Sequence, residues 1–136
     1  MQGYQGKILH VDLTRGEHRT EALDEDFARK YLGGNGFAAR YLWDLTKPGV
    51  DALSPENVIV FAVGPYTDSA VPSASRACAG SKSPLTDLFF DSTFGGAWPA
   101  TMKRAGFDAI VLHGRAESPV YLSVADGEAV IRDAGD

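Results

Sequence analysis

The sequence predicts an α+β fold: mainly antiparallel β-sheets with about three short helices. Strand-like segments outnumber helical ones, and two pairs of them are separated only by turn residues, Thr14–Gly16 and Asp126-Gly127, as in β-hairpins. Strands and helices do not alternate regularly, which argues against a doubly wound parallel sheet. Residues 1–136 contain no linker-like stretch and are expected to form a single domain. The chain stops directly after its last predicted strand, so we expect this domain to be truncated at its C-terminal end.

The first third of the chain predicts a hairpin followed by two helices. Apolar and polar residues alternate in Gly6–Leu13, which indicates a strand, and the polar segment Glu17–Glu21 is its return strand. A short helix is predicted over Asp24–Tyr31, with an aspartate as its N-cap and a glycine just past its end. Asn35 is a suitable N-cap for a second helix, Phe37–Leu45.

The rest of the chain predicts six further strands and a third helix. Val58–Val63 is a continuous apolar run rich in β-branched residues, which indicates a buried strand. Tyr66–Asp87 is rich in Ser, Thr, Pro and Gly and is interpreted as a long loop that contains one short strand. Ala97–Ala105 is predicted to be a helix, with proline in its first turn and glycine after its end. The remaining predicted strands are Arg76–Ala79, Leu88–Asp91, Phe107–Leu112, Val120–Val124 and Glu128–Arg132.

Charge and composition exclude several classes of function. The chain has 13 basic and 18 acidic residues, hence a net charge of −5, so neither nucleic acid nor an anionic membrane surface is an expected partner. No apolar run approaches the roughly 20 residues that span a bilayer. The single cysteine, Cys78, excludes an intramolecular disulfide and a self-contained iron–sulfur cluster, and it indicates a reducing, cytoplasmic setting. We interpret it as a small buried residue.

The isolated reactive residues form no convincing catalytic pattern. The histidines His10, His18 and His113 are scattered and lack the spacing of metal ligands. Ser92, His113 and Asp91 can be combined into a triad on paper, but the sequence lacks the Gly-x-Ser-x-Gly elbow that presents a nucleophilic serine. We therefore assign no catalytic residue.

The strongest chemical pattern is Arg76 together with Ser92–Gly96, which precedes the third predicted helix. A helix start offers unpaired N–H groups and the positive end of its dipole, and adjacent glycines let an anion approach the backbone. A guanidinium binds phosphate through two parallel hydrogen bonds. This pattern favours a phosphate-bearing ligand, although glycine pairs before helices also serve purely as turns. Gly33–Gly36 fits neither nucleotide-binding glycine motif and is explained as a link between two helices.

A series of short motifs runs through the chain in order and covers nearly all of it. Each motif alone is unspecific, but the series is hard to obtain by chance. Its members are Gly6–Leu13, Tyr31–Gly36, Leu53–Asn57, Gly64-Pro65, Arg76, Lys82–Thr86, Gly95-Gly96, Lys103, Ala105–Val111 and Ser118–Tyr121. In this series the chain resembles the N-terminal domain of the tungsten-containing aldehyde:ferredoxin oxidoreductases.

The resemblance implies that family's fold and a cofactor. In the family, this domain is the β-rich base for a tungsten bis-pyranopterin (tungstopterin), whose phosphates are bridged by Mg²⁺. The family's cofactor-contacting arginine corresponds to Arg76, and its phosphate-side loop, usually Asn-Ser-Gly-Gly, corresponds to Thr93, Phe94, Gly95 and Gly96. At Thr93 the Mg²⁺ would be held through the backbone carbonyl. Phe94 in place of serine would add bulk beside the cofactor edge.

The resemblance also implies a larger enzyme that oxidises aldehydes to carboxylic acids and passes the electrons through a [4Fe-4S] cluster to ferredoxin. The cluster cysteines and the substrate pocket of the family lie beyond the part that corresponds to this chain. The chain would therefore act with the remainder of the oxidoreductase chain, and self-association as a homodimer is a further expectation. Two alternatives stay open: a stand-alone, non-catalytic pterin-binding or assembly module, and a structural domain that has lost cofactor binding, as the departures at Thr93 and Phe94 would suggest.

Overall fold

The computed structural model describes residues 1–135 and forms eight strands and three helices within them. The predicted order of elements is confirmed. In chain order the elements are β1 (Lys7–Asp12), β2 (Glu17–Ala22), α1 (Glu25–Tyr31), α2 (Asn35–Leu45), β3 (Val58–Val63), β4 (Ala77–Lys82), β5 (Phe89–Phe94), α3 (Trp98–Arg104), β6 (Ala109–His113), β7 (Val120–Ala125) and β8 (Glu128–Asp133).

Six strands form one sheet in the order β2-β1-β6-β3-β4-β5, and β7 and β8 form a separate two-stranded sheet. Every neighbouring pair is antiparallel except β1 and β6, which are parallel. The predicted α+β class with mainly antiparallel sheet and three short helices is therefore confirmed. The parallel pair joins the first strand to one about a hundred residues later, and local periodicity carries no information on such a pairing.

The six-stranded sheet has a hydrophobic layer on each face. Helices α1 and α2 cover one face, where the stripe predicted on α2, namely Phe37, Tyr41 and Leu42, is buried in one cluster with residues of β1, β3, β4 and β6. Helix α3 and the β7–β8 hairpin cover the other face, and Met102 and Phe107 lie in that layer. The middle strands are therefore buried on both sides, as the continuous apolar run of β3 predicted. No helix within residues 1–135 is long and apolar enough to cross a membrane.

Several boundaries differ from those predicted: the strand predicted over Arg76–Ala79, for example, is Ala77–Lys82. Two of the differences bear on the candidate site. The N-cap of α2 is Gly34 rather than Asn35, because the backbone there has φ 51° and ψ −127°, a conformation that glycine adopts far more easily than asparagine. Asn35 is instead the first helical residue, and its side-chain amide donates to Asp91 on β5 (2.8 Å). Strand β5 extends to Phe94, so Thr93 and Phe94 belong to a strand and not to the start of α3.

Candidate anion-binding groove

An open groove lies at one end of the six-stranded sheet, where β3 and β5 end and β4 begins. The link between α1 and α2 forms its opposite wall. Its volume is about 360 Å³. Among residues 1–135, those that line it are Leu32, Gly33, Gly34, Asn35, Gly64, Pro65, Tyr66, Thr67, Ala74, Arg76, Ala77, Cys78 and Thr93. Arg76 is the one charged residue in this set, so the groove offers a single positive charge and no carboxylate.

Arg76 immediately precedes β4, and its backbone is fixed on both sides. Its N–H donates to the carbonyl of Ala74 (2.9 Å), and its carbonyl accepts the buried Thr67 hydroxyl (3.1 Å). The Thr67 oxygen also accepts the N–H of Gly64 (3.2 Å), which ties the two sides of the groove together. The exposed Arg76 guanidinium makes no hydrogen bond or ion pair with any residue in the described part of the chain. Its five donors are therefore free for a ligand.

Gly95 and Gly96 lie beside this guanidinium. A Cβ placed on Gly95 would sit 3.4 Å from Nη1 of Arg76, in ordinary van der Waals contact, so the arginine side chain lies directly against Gly95. Gly96 has φ +79°, and a Cβ there would meet nothing within 4 Å. A shallow cleft of about 450 Å³ lies between these glycines, Arg76 and Ser73 to Ser75. The structure thus brings Arg76, Gly95 and Gly96 together, although the sequence separates the arginine from the glycines.

Thr93 and Phe94 point to opposite faces of β5. Thr93 lines the groove together with Arg76. The Phe94 side chain lies on the other face, where its ring packs against Trp98 (centroids 5.2 Å apart) and Phe61 (6.5 Å). Its bulk is therefore not placed beside the groove, because adjacent residues of a strand face opposite ways. Only the Phe94 backbone adjoins the glycine pair.

The second wall of the groove was missed by sequence reasoning, which explained Gly33–Gly36 as a helix link only. Gly33 has φ +120°, and a Cβ there would lie 2.5 Å from the carbonyl oxygen of Val63. The N–H of Gly34 donates to that same oxygen (3.2 Å). The link is thus pressed against the end of β3, directly opposite Arg76. The signal that could have revealed this wall is the glycine cluster itself, which marks a close backbone approach.

The other candidate reactive groups do not assemble into an active site. Cys78 is buried beneath the groove, and burial raises the pKa of its thiol to about 11, so it is neutral at pH 7. This fits the predicted small buried residue. Asp91 and Ser92 lie on β5, three strands away from His113 at the end of β6, roughly 14 Å at the usual strand spacing. Ser92, His113 and Asp91 therefore do not form a catalytic triad.

The three histidines, expected to be scattered, border one cleft of about 210 Å³ at the end of the sheet that lies away from the groove. His10 is only 4% exposed, and its Nε2 lies 3.0 Å from Oε2 of Glu21, but the ring N–H is not aligned for a hydrogen bond. Burial lowers the pKa of His10, and the positive charge of Arg19 acts in the same direction against the attraction of Glu21. Within residues 1–135, no three His, Cys, Asp or Glu side chains are arranged to hold a metal ion.

Fold and groove together define an α+β domain with a glycine-rich candidate anion-binding groove, whose lining within residues 1–135 carries a single charge. Comparison with known proteins identifies its family. The sequence profile described as "Aldehyde ferredoxin oxidoreductase, N-terminal domain" matches residues 8–136. The chain therefore belongs to the family of aldehyde ferredoxin oxidoreductase N-terminal domains, as the motif series predicted.

Individual relatives agree with this assignment. The chain is 45% identical over 134 residues to the tungsten-containing aldehyde ferredoxin oxidoreductase of Pyrococcus abyssi. It is 36% identical over 137 residues to an aliphatic sulfonate oxidoreductase, WOR-like subunit, of Pyrococcus furiosus. Each match covers 98% of this chain. It superposes with a TM-score of 0.94, at 37% identity, on the active site complex BamBC of benzoyl coenzyme A reductase, covering 98% of this chain and 20% of that one. The chain spans about 22% of the length of the curated relatives it matches.

Proposed function

We propose that this chain is the N-terminal, cofactor-binding part of a tungsten-containing oxidoreductase, and that its groove holds the phosphates of a tungsten bis-pyranopterin. The observation that carries the proposal is the Arg76 guanidinium beside Gly95, which is unpaired within residues 1–135 and lies in a groove whose lining there carries no other charge. An unopposed guanidinium attracts an anion, and phosphate matches its planar pair of donors.

The residues of the groove fit such a group. Gly95 and Gly96, in the adjoining cleft that shares Arg76, leave the backbone open to a phosphate, and among residues 1–135 the groove lining contains no carboxylate that would repel it. We assign Arg76 to bind phosphate, the backbone at Phe94, Gly95 and Gly96 to approach it, and the Thr93 carbonyl to hold a bridging Mg²⁺. The cofactor, when bound, supplies the redox chemistry at its metal, while the protein supplies binding, orientation and electrostatics.

The range of relatives supports a role in holding the cofactor rather than in selecting the substrate. Proteins named for aldehydes, aliphatic sulfonates, glyceraldehyde-3-phosphate and benzoyl coenzyme A all match this chain. The fold that is common to enzymes with such different substrates does not by itself specify one of them. It can serve what those enzymes share, and a common cofactor is the simplest shared element.

The proposal extends to the larger enzyme. Its reaction would convert an aldehyde and water to a carboxylic acid, two protons and two electrons. The electrons would pass through a [4Fe-4S] cluster to ferredoxin, and the cluster's cysteines would come from outside this chain, since residues 1–136 contain only Cys78. In this scheme residues 1–136 bind and orient the cofactor, and they contribute no group that reacts with the substrate.

Replacement of Arg76 tests the assignment. In the native polypeptide that contains this chain, R76A should lower the tungsten and pterin content of the purified protein severalfold, because the groove loses its only charge. Arg132→Ala is the matched control: Arg132 is also exposed and unpaired within residues 1–135, but it lies on the β7–β8 hairpin. Unchanged tungsten content in R76A would refute the assignment.

The size of the native polypeptide tests the larger scheme. An antibody against this chain should detect, in extract of the source cells, a band several times larger than 14.5 kDa. A band at 14.5 kDa would instead support a stand-alone pterin-binding or assembly module, because such a protein would lack the cysteines for the cluster.

A further inference from the structure

A buried lysine lies behind the groove, where it contacts the carbonyl of the lining residue Gly64. Lys103 of α3 is only 4% exposed. Its Nζ donates to the carbonyl oxygens of Gly3 (2.5 Å) and Gly64 (2.7 Å), and it lies 3.6 Å from Oδ1 of Asp108. The three protons of the ammonium group thus face three acceptors from three separate segments.

Asp108 is the buried counter-ion of this lysine, and it is itself fully engaged. Its two carboxylate oxygens accept the backbone N–H groups of Gln5 (3.1 Å) and Gly6 (2.7 Å). Its own carbonyl accepts the N–H of Val63 at the end of β3 (3.0 Å). The carboxylate is completely buried, so these hydrogen bonds and the nearby ammonium are what make the charge tolerable there.

Two parts of the groove lining, at Gly64 and at Leu32, are connected to this pair. Gly64 lines the groove, and its carbonyl accepts a hydrogen bond from Lys103. Leu32 also lines the groove, and its carbonyl accepts the Tyr4 hydroxyl (2.9 Å), while the Tyr4 ring lies 5.5 Å from Nζ of Lys103. A Cβ on Gly3 would lie 2.9 Å from the carbonyl oxygen of Pro65. The segment from Gly3 to Gly6 is therefore clamped between the lysine and the back of the groove.

We propose that Lys103 is a positioning residue for the groove: with Asp108 as counter-ion and Tyr4 as its neighbour, it sets the distance between the Leu32 side of the groove and the Gly64 side, which Thr67 in turn ties to Arg76. An apolar side chain at this position would leave the Gly3 carbonyl without its buried donor and the Gly64 carbonyl with the Thr67 N–H alone, and the two segments would separate. The identity of the ligand that needs this distance, a phosphate-bearing cofactor, rests on the proposed function. The positioning itself rests on the hydrogen bonds above.

The test uses the native polypeptide that contains this chain. The double variant Lys103→Met, Asp108→Asn removes both buried charges together, so that neither remains unpaired, and the new amide oxygen still accepts one of the two backbone N–H groups of Gln5 and Gly6. We expect the purified double variant to retain at least threefold less tungsten and pterin than the parent, and to lose cofactor at least threefold faster on dilution, at a temperature well below its unfolding midpoint.

A second lysine, with similar partners but an exposed counter-ion, provides a control for the change of charge. Lys82 also donates to a backbone carbonyl, that of Val50 (2.5 Å), and pairs with Asp87 (2.6 Å), but none of these residues lines the groove. Lys82→Met, Asp87→Asn should leave the cofactor content unchanged. An equal loss of cofactor in both double variants would overturn the positioning role, because general destabilisation would then explain it.

A milder variant keeps the proposal testable if the buried double variant does not fold. Tyr4→Phe retains the ring but removes the hydroxyl that holds the Leu32 carbonyl, and it should lower cofactor retention about twofold with little change in the unfolding midpoint. Full retention in Tyr4→Phe, or in a folded Lys103 and Asp108 double variant, overturns the inference. If R76A loses its cofactor while these variants keep theirs, only the positioning role fails; if R76A also keeps its cofactor, the proposed function fails as well.

Discussion

Gly33→Ala is the substitution whose cost follows most directly from the geometry of the groove. The residue has φ +120°, and the added methyl would lie 2.5 Å from the Val63 carbonyl oxygen, which is backbone and cannot rotate away. An L-residue in the left-handed region costs about 1–2 kcal/mol. Relief of the clash must also move the α1–α2 link away from β3 and break the hydrogen bond from the Gly34 N–H to the same oxygen, worth about 1 kcal/mol.

The free energy of unfolding should therefore fall by about 3 kcal/mol, measured by equilibrium urea denaturation of the chain. Gly49→Ala separates the two causes, because Gly49 also has positive φ (+78°) but a Cβ there would meet nothing within 4 Å. It should cost only about 1 kcal/mol. If the two variants were destabilised equally, the reasoning would be refuted: the α1–α2 link would not be held against β3, and the groove would have no fixed second wall.

Two further predictions concern buried titratable groups. The Cys78 thiol should resist alkylation at pH 8 in the folded protein, since burial raises its pKa to about 11, and it should react at once in urea. Fast reaction without denaturant would contradict this prediction, because it would show that Cys78 is accessible from the groove. For His10 the pKa is lowered by burial, so the unfolded chain takes up a proton before the folded one does. The free energy of unfolding should then be level above about pH 7 and fall as the pH drops through about 6.5, the ordinary histidine value. His10→Gln should flatten this fall, whereas substitution of the exposed His18 should leave it in place; an identical pH profile in both variants would contradict the assignment.

Most of the fold was predictable because its signals are local. The cap at Asp24 depends on a few neighbouring residues, since its carboxylate accepts the Phe27 N–H (2.8 Å). The apolar stripe of α2 likewise follows from the spacing of residues within one helix. The exceptions have physical causes. Strand β5 extends through Thr93 and Phe94 because it pairs with β4 along its whole length, and that pairing is not visible in a short polar segment.

The candidate site was predictable only in part, for a similar reason. The arginine and the glycine pair carry a chemical signal of their own, and the structure places them side by side. The wall at Gly33 and Gly64 carries a weaker signal, because glycines at chain turns are common and nothing in the sequence says which turn faces which. A register shift of one residue on β5 would exchange the sides of Thr93 and Phe94, so the face that each occupies follows only from the assembled sheet.

The buried pair behind the groove shows why such a site draws on distant parts of a chain. Lys103 joins Gly3, a hundred residues earlier, to Gly64, and Asp108 receives the N–H groups of Gln5 and Gly6. A helix or strand is already stabilised by its own hydrogen bonds, whereas a wall made of turns has carbonyls that need partners from elsewhere. A buried lysine can reach two such carbonyls at once. The stiffness that a binding groove needs is therefore supplied here by polar groups outside it, while the groove itself keeps its one guanidinium free.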